Sequence, residues 1–348
     1  MTSTTTAPSA PHDPAAPVAS RFGPDTRTGR QRFVRSLVRS APIFLILLAL
    51  LVTIGFLNPR GFDAAYYVSL IKRAAPLMVL AAGQLFVIVS GEYDLSVGSI
   101  VTAVVAGAAI FLRGDPDLSY PVMGGLLVFG VLVGLANGFV TTRLRVPSFL
   151  ATLGMLLVIN GGVQVLTTGA PRGSMPANFR ALGREGIEGV PVIGELPFSV
   201  LILVAVGVIG WLLLHRTNFG RQVFAVGGNA RAAALAGVNA ASVRTAAFVI
   251  SAVSAIIAGI LLAGFGGLAN AAGEGYEFQA ISAVVLGGAA LGGGRGSILA
   301  ALAGALTLEA LFTVLNFLAL PQELRYTVQG VIIIAAVAYA SVRLRRAG

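Results

Sequence analysis

The sequence contains no cysteine and only two histidines, so it is poor in the side chains that build most metal and nucleophilic sites. Without cysteine the chain has no disulfides and no thiolate ligands, and its thiols give no sign of a redox compartment. His12 lies in a polar N-terminal stretch and His215 at the end of an apolar run, and no acidic cluster has the spacing of metal ligands. These absences weigh against a membrane enzyme, which would need a convergent set of nucleophile, base or metal ligands.

Lysine is almost absent as well, because Lys72 is the only lysine in 348 residues. The chain therefore lacks the phosphate-binding loop Gly-x-x-x-x-Gly-Lys-Ser/Thr, in which a lysine reaches the nucleotide phosphates. It cannot supply an ATP site of that kind, so any ATP-driven function requires a partner that does.

Charged residues make up only 11% of the chain, whereas 56% of its residues are hydrophobic and its mean hydropathy is +0.87. A water-soluble domain of this length could not bury so much apolar surface. The composition therefore predicts an all-α integral membrane protein. The formal net charge of +10 does not indicate nucleic acid binding, because the basic residues lie in short segments between apolar runs and in both tails, without interleaved aromatics.

The N-terminal stretch is polar, rich in Thr, Ala and Pro, and lacks the apolar periodicity of a packed element. We expect residues 1–40 to form a flexible basic cytoplasmic tail, followed by a transmembrane domain over residues 41–343. The tail ends in arginines directly before the apolar run 41–57, in the order of a signal peptide, but no small-x-small cleavage site follows. The first helix is therefore expected to remain as an anchor.

Ten apolar runs approach the roughly 20 residues that a helix needs to cross the hydrocarbon core. They are residues 41–57, 74–90, 96–112, 121–142, 148–166, 198–214, 245–266, 277–291, 297–316 and 326–342. Ten crossings place both termini on one side, and the arginine-rich connections on that side identify it as cytoplasmic. Lys72 and Arg73 fall on the outer side instead, and we expect residues 63–73 to form a tilted interfacial segment.

The longest outer connection, residues 167–197, contains glycine and proline throughout. This composition excludes a long helix and predicts a shaped external loop. The loop is either a docking surface for an extracytoplasmic partner or a solvated connector.

Two carboxylates, Glu92 and Asp94, lie between two apolar runs with almost no polar spacer. An ionised side chain near the bilayer is unfavourable unless it faces a cavity, a partner or a helix N-terminus. Asp94 or Ser96 can accept hydrogen bonds from the free N–H groups of the helix that follows, so Asp94 is expected to be a buried N-cap. Glu92 has no such partner, and it is the better candidate for a solute or gate contact.

The stretch 227–237 has the pattern of a short helix on the cytoplasmic side. Asn229 is a good N-cap, an alanine-rich run follows it, and Gly237 suits the left-handed conformation that ends a helix. A helix of about two turns is not stable alone in water, so it must dock in a groove of a cytoplasmic partner or against its own bundle. Its alanines, Ala233 among them, present little side chain beyond Arg231, which indicates close backbone approach.

The stretch that contains Glu92 and Asp94 and the stretch 227–237 resemble the signature regions of the ribose-type permease family. Members of this family are the transmembrane subunits of ATP-binding-cassette (ABC) importers. Residues 134–149, which include Asn137, are similar to the family's connection between its fourth and fifth helices. Residues 273–297 resemble its C-terminal signature. The resemblance covers about residues 41–343 and identifies that region as a permease domain.

The resemblance implies that two such subunits, identical or closely homologous, enclose a path for a small polar solute such as a monosaccharide. It implies a cytoplasmic ABC ATPase that binds ATP and Mg²⁺, an extracytoplasmic solute-binding protein, and the plasma membrane of a prokaryote. No cofactor in this chain and no nucleic acid partner are expected. The path would include Glu92, Asp94 and Asn137, and the ATPase would bind Asn229, Arg231, Ala233 and Gly237.

Many family members have a second glycine and an aliphatic residue where this chain has Glu92 and Tyr93, which leaves the solute open. A nucleoside or another small polar solute would suit the same fold. A proton-coupled secondary transporter is an alternative from a different class. It would use Glu92, Asp94 or Glu309 as a proton carrier and would need no partner.

Overall fold

The computed structural model describes residues 29–170, 172–266, 269, 271–321, 324, 327–328, 330–331 and 334, with side chains from Pro42 onward. The ranges up to residue 321 contain twelve α-helices, a short 3-10 helix (Pro116–Leu118) and one antiparallel pair of strands. The helices are α1 (Gly29–Leu57), α2 (Ala64–Val89), α3 (Val97–Leu112), α4 (Ser119–Thr142), α5 (Ser148–Thr167), α6 (Ala177–Arg184), α7 (Phe198–Arg216), α8 (Asn218–Gly228), α9 (Ala230–Leu235), α10 (Ala240–Gly266), α11 (Tyr276–Leu286) and α12 (Ile298–Phe317). Strands β1 (Gly186–Val190) and β2 (Gly194–Pro197) form a hairpin.

Six described helices, namely α2, α4, α5, α7, α10 and α12, are long and apolar enough to cross a membrane. Three shorter apolar helices are α3, α11 and the part of α1 from Pro42 to Leu57. Together they overlap the first nine predicted spans. Most of the predicted span 326–342 and residues 1–28 of the predicted tail lie outside the described residues.

Two boundaries differ from the sequence prediction. Helix α1 begins at Gly29, within the segment predicted to be a flexible tail. Apolar residues at positions 33, 34, 37 and 38 have helical spacing, which the arginines between them obscured. Residues 64–73, predicted to form an interfacial segment, are the first turns of α2, so α2 begins ten residues before the predicted span 74–90.

Helices α2 and α10 form the centre of the fold. In its most apolar stretch α2 has 83% of its residues buried, and it packs against α7, α10, α11 and α12. Helix α10 also packs against α3, α4 and α6. By contrast only 17% of the corresponding stretch of α5 is buried, so most of its surface meets no other described part of the chain.

Glycine allows α4 to approach α10 closely. Added at Gly134, a Cβ atom would lie 2.6 Å from Cα of Val249, and at Gly138 it would lie 2.7 Å from Cα of Thr245. Both glycines lie on one face of α4, since they are four residues apart. Small residues of this kind bring helix backbones together in membranes, where burial of apolar side chains provides little driving force.

The described residues of the connection 167–197, which is predicted to be external, are folded rather than irregular. The connection contains helix α6, whose Phe179 is fully buried, and then the hairpin. Gly183 of α6 lies against the backbone of α10 at Gly264. The prediction that no long helix forms there is confirmed, because α6 has only eight residues.

Candidate functional site

Asp94 is a fully buried carboxylate in the connection between α2 and α3. Its Oδ1 accepts hydrogen bonds from the backbone N–H of Ser96 at 3.0 Å and from Ser96 Oγ at 2.6 Å. Ser96 occupies the N-cap position of α3, and its own side chain does not cap the helix. Asp94 therefore stabilises the turn that leads into α3, two residues before the N-cap position that the sequence predicted for it.

Asn137 of α4 belongs to the same cluster. Its Nδ2 donates a hydrogen bond to Ser96 Oγ at 2.9 Å, so Ser96 joins Asn137 to Asp94. Gln84 of α2 donates to the backbone oxygen of Asp94 at 3.2 Å and accepts from Ser251 of α10 at 3.3 Å. Side chains from α2, α4 and α10 thus meet at this turn, and all of them are buried.

Glu92 has a partner, contrary to the expectation from sequence. Its Oε1 lies 3.0 Å from Nη1 of Arg244, near the start of α10. Both side chains are largely buried, with 13% of Glu92 and 28% of Arg244 exposed. The sequence could not reveal this pair, because about 150 residues separate its members and both lie beside connections whose conformation was unknown.

Backbone contacts join the end of α2 to α8 and to the connection between α11 and α12. The N–H of Gly294 donates to the carbonyl of Val89 at 2.8 Å. A methyl group at Gly227 would overlap that same carbonyl oxygen, and one at Gly293 would lie 2.9 Å from Cα of Gly91. We call Gly91, Gly227, Gly293 and Gly294 the glycine junction. At Gly227, Gly293 and Gly294 a Cβ atom would lie within 3.0 Å of the backbone of a neighbouring segment, so a larger side chain does not fit there.

Tyr93 strengthens this junction from the other side of the turn. Its hydroxyl donates to the carbonyl oxygen of Leu291 at 2.8 Å, and its backbone N–H donates to Ser148 Oγ at 3.1 Å. The start of α5 is thereby held beside the connection between α2 and α3. The departure from the family pattern at Tyr93 thus supplies a structural contact.

Helix α9 matches the prediction for residues 229–237 closely. The side chain of Asn229 accepts a hydrogen bond from the N–H of Ala232 at 3.0 Å, which caps the helix. Gly237 follows the helix with φ of +83°, in the left-handed region. Arg231 is exposed, as a contact with a partner would require.

Two residues of α9 differ in exposure from what the sequence indicated. Ala233 is 6% exposed and packs in the hydrophobic core of the chain itself. Leu235 is 87% exposed, and sequence reasoning did not single it out. Its signal was present, since it is the one large apolar residue in the alanine run. The accessible surface of α9 is therefore formed by Arg231, Ala232, Ala234 and Leu235.

Lys72 and Arg73, which did not fit the charge pattern, both have partners. Lys72 donates to the backbone oxygen of Arg184 at the end of α6 and lies 3.4 Å from Oε1 of Glu195 in β2. Nε of Arg73 lies 3.7 Å from Oε1 of Glu309 in α12. These contacts connect α2 to the hairpin and to α12, which gives both basic residues a structural role on the side predicted to be external.

No group of three or more His, Asp or Glu side chains within the described ranges could hold a metal ion.

Comparisons with known proteins place these features in a family context. The family model described as branched-chain amino acid transport system / permease component matches residues 66–337. The chain is 32% identical to the ribose import permease protein RbsC of Escherichia coli K12, over 90% of this chain and 97% of that protein. It is 35% identical to RbsC of Bacillus subtilis 168, over 84% of this chain and 90% of that protein. It is 33% identical to the autoinducer 2 import system permease protein LsrC of Yersinia enterocolitica, over 86% of this chain and 82% of that protein. No solved structure matches.

Proposed function

The chain belongs to the permease family of ABC importers, and on that premise we propose that it forms the membrane path for a neutral sugar-like solute, of the monosaccharide class. It is a multi-pass membrane protein and a transport subunit, and ATP hydrolysis belongs to a separate subunit. The proposed solute class rests on the import permeases for ribose, which match this chain over almost their whole length.

The observation that supports coupling to an ATPase is helix α9. The helix is capped by Asn229, is anchored to its own core through Ala233, and presents Arg231 and Leu235 outward. The exposed side chain of Leu235 is available to a hydrophobic groove of a partner. We assign this surface to a cytoplasmic ABC ATPase, which would bind ATP and Mg²⁺.

The remaining partners follow from the same role. A second copy or a close homologue of this chain completes the path. An extracytoplasmic solute-binding protein docks on the hairpin, where Val192 is 85% and Ile187 50% exposed. In this arrangement both termini are cytoplasmic and the protein lies in a prokaryotic plasma membrane.

Glu92, Asp94 and Asn137 were predicted to line the path, and their contacts support a narrower role. Asp94 and Asn137 are buried and hydrogen-bonded through Ser96, so they hold the cytoplasmic ends of the path helices together. The ion pair of Glu92 with Arg244 joins the end of α2 to α10. We propose that these residues form the framework of the path and that solute contacts lie elsewhere.

The test is uptake by proteoliposomes that contain the permease with its cognate ATPase and binding protein. Labelled D-ribose should accumulate only with ATP on the ATPase side and binding protein on the other. Uridine, a nucleoside of similar polarity, should compete poorly. Uptake that follows a proton gradient in liposomes without the ATPase would overturn the importer assignment, and preference for uridine would overturn the solute class.

Arg73 and Glu309 bear on the secondary-transporter alternative. Glu309, the one carboxylate inside α12, lies beside the guanidinium of Arg73 rather than alone in an apolar environment. The guanidinium favours the ionised form of the carboxylate. The contact joins α12 to α2 and gives Glu309 a structural role, so a proton-carrier role is not needed to explain this carboxylate.

A further inference from the structure

Helix α5 has a free face whose chemistry differs from that of the other weakly buried spans. Helices α4 and α7 expose aliphatic side chains along their middle turns, among them Leu127, Val128, Leu132, Val204, Val208 and Ile209. Such surfaces suit lipid. On α5, by contrast, the exposed residues include the amides Asn160 and Gln164.

These two amides share one side of α5. They are four residues apart, so they lie one above the other, and Gly161 lies beside them with open space where a Cβ atom would be. At a rise of about 1.5 Å per residue, Asn160 lies about 18 Å along the helix axis from the first residue of α5, which is past the middle of the helix. Neither amide side chain makes a hydrogen bond to the described part of the chain.

The opposite side of α5 is apolar. Val158 is two residues from Asn160, about 200° around the helix, and it lines an apolar groove between α3, α4 and α5. Val158 is itself 70% exposed, so the two sides are equally free of the rest of the chain and differ in polarity. A carboxamide left without hydrogen bonds in hydrocarbon is strongly unfavourable, which excludes lipid as the stable environment of Asn160.

We propose that Asn160 and Gln164 line the solute path and exchange hydrogen bonds with the hydroxyl groups of the passing solute. Each amide has two N–H donors and a carbonyl acceptor, which match hydroxyl groups that both donate and accept. Neutral amides bind such a solute without a charge that would retain it. This inference rests on the proposed import function, and it places a second copy of the chain opposite α5, with two amide pairs facing one aqueous space.

The absence of cysteine makes this proposal directly testable. Single variants Asn160→Cys and Gln164→Cys are made in the complex with the ATPase and binding protein, with Val158→Cys as the matched control. A charged, water-soluble methanethiosulfonate reacts with a thiolate, which forms only where water reaches it. We expect residues 160 and 164 to be modified about tenfold or more faster than residue 158.

Transport measurements add a second readout. Asn160→Leu and Gln164→Leu should lower the rate of ATP-dependent D-ribose uptake while the complex assembles normally. The matched control Val158→Leu should transport at the wild-type rate.

Other arrangements of α5 give different results. Amides that join two copies of the chain across their interface would leave Asn160→Cys unreactive, allow a disulfide between copies, and make Asn160→Leu lower the dimer fraction. That result overturns the proposal, as does equal labelling of residues 158 and 160. If Asn160→Cys is labelled selectively but the wild-type complex does not transport D-ribose, the path assignment stands and only the solute class is contradicted.

Discussion

At the scale of single residues, the turn before α3 depends on one oxygen atom. Asp94 Oδ1 accepts both hydrogen bonds from Ser96, and Ser96 in turn receives the hydrogen bond from Asn137. The charge of Asp94 is not what these contacts require, because a neutral amide offers the same acceptor oxygen. Replacement of Asp94 by Asn therefore removes the charge and keeps the acceptor oxygen, so the effects of charge and acceptor on stability can be measured separately.

We therefore expect Asp94→Ala to destabilise the protein by about 1 to 3 kcal/mol, because it leaves the buried donors of Ser96 without an acceptor. Asp94→Asn keeps the acceptor and should lie much closer to the wild type. Thermal unfolding of the purified protein in detergent measures both. Equal losses of stability in the two variants would show that the carboxylate charge matters more than the hydrogen bonds.

At the scale of secondary-structure elements, α9 divides its residues between two tasks. Ala233 faces the core of the chain, whereas Leu235 faces outward. Replacement of either residue could reduce coupling to an ATPase, but for different reasons. Stability measurements can therefore distinguish the two.

Leu235→Ser should abolish the stimulation of ATP hydrolysis by loaded binding protein and leave the melting temperature unchanged, since little of Leu235 is buried. Ala233→Trp should lower the melting temperature, because a bulky ring has no room in the core. ATPase assays and thermal unfolding of the same preparations provide the comparison. Normal stimulation in Leu235→Ser would exclude α9 as the coupling surface.

The contact between α4 and α10 makes a second prediction at this scale. Gly134→Ala places a methyl group 2.6 Å from the backbone of Val249, so the helices must move apart, at a cost of about 1 to 3 kcal/mol. Gly124→Ala on the same helix meets nothing within 4 Å and should be neutral or slightly stabilising, because alanine favours helix. Thermal unfolding of the two variants compares them. Similar melting temperatures would mean that the close approach of α4 and α10 contributes little.

Sequence reasoning succeeded where the signal is local. The boundaries of α9 follow from a capping asparagine, an alanine run and a glycine, and all three act within one short segment. It failed where the deciding contact is distant in sequence. The partner of Glu92 lies on α10 and that of Lys72 on β2, and neither charge has a neighbour in the chain that reveals its role.

The polar face of α5 lies between these two cases. Asn160 and Gln164 are visible in the sequence at helical spacing, but a polar pair inside an apolar run is equally compatible with a buried network such as that of Gln84 and Ser251. Only the packing of the other helices shows that this side of α5 is free. The fold had to be known before the pattern could be interpreted.

At the scale of the whole molecule, the hairpin and α9 belong to two connections that are predicted to lie on opposite sides of the membrane, and both have exposed residues. Val192 at the tip of the hairpin is 85% exposed, and Ala234 of α9 is exposed as well. The number of crossings between them decides their sides. Helix α7 is the one long apolar helix described between the two segments.

Single-cysteine variants at these positions test the topology in intact cells. A membrane-impermeant maleimide should label Val192→Cys from outside, and it should label Ala234→Cys only after the membrane is permeabilised. Both positions are exposed, so the difference reports the side of the membrane rather than burial. Labelling of Ala234→Cys in intact cells would contradict the predicted cytoplasmic position of α9.

The sparse packing of α5 also affects how this protein can evolve. Replacement of a side chain that touches few others changes folding free energy little, so random mutations on the free face of α5 are rarely eliminated for instability. The glycine junction is the opposite case, because a side chain at Gly227 or Gly293 meets the backbone of neighbouring segments within 3.0 Å. Natural selection can thus vary the helix proposed to meet the cargo while the glycine junction stays the same. A lineage with this architecture can acquire a new nutrient through a few substitutions, without an intermediate that fails to fold.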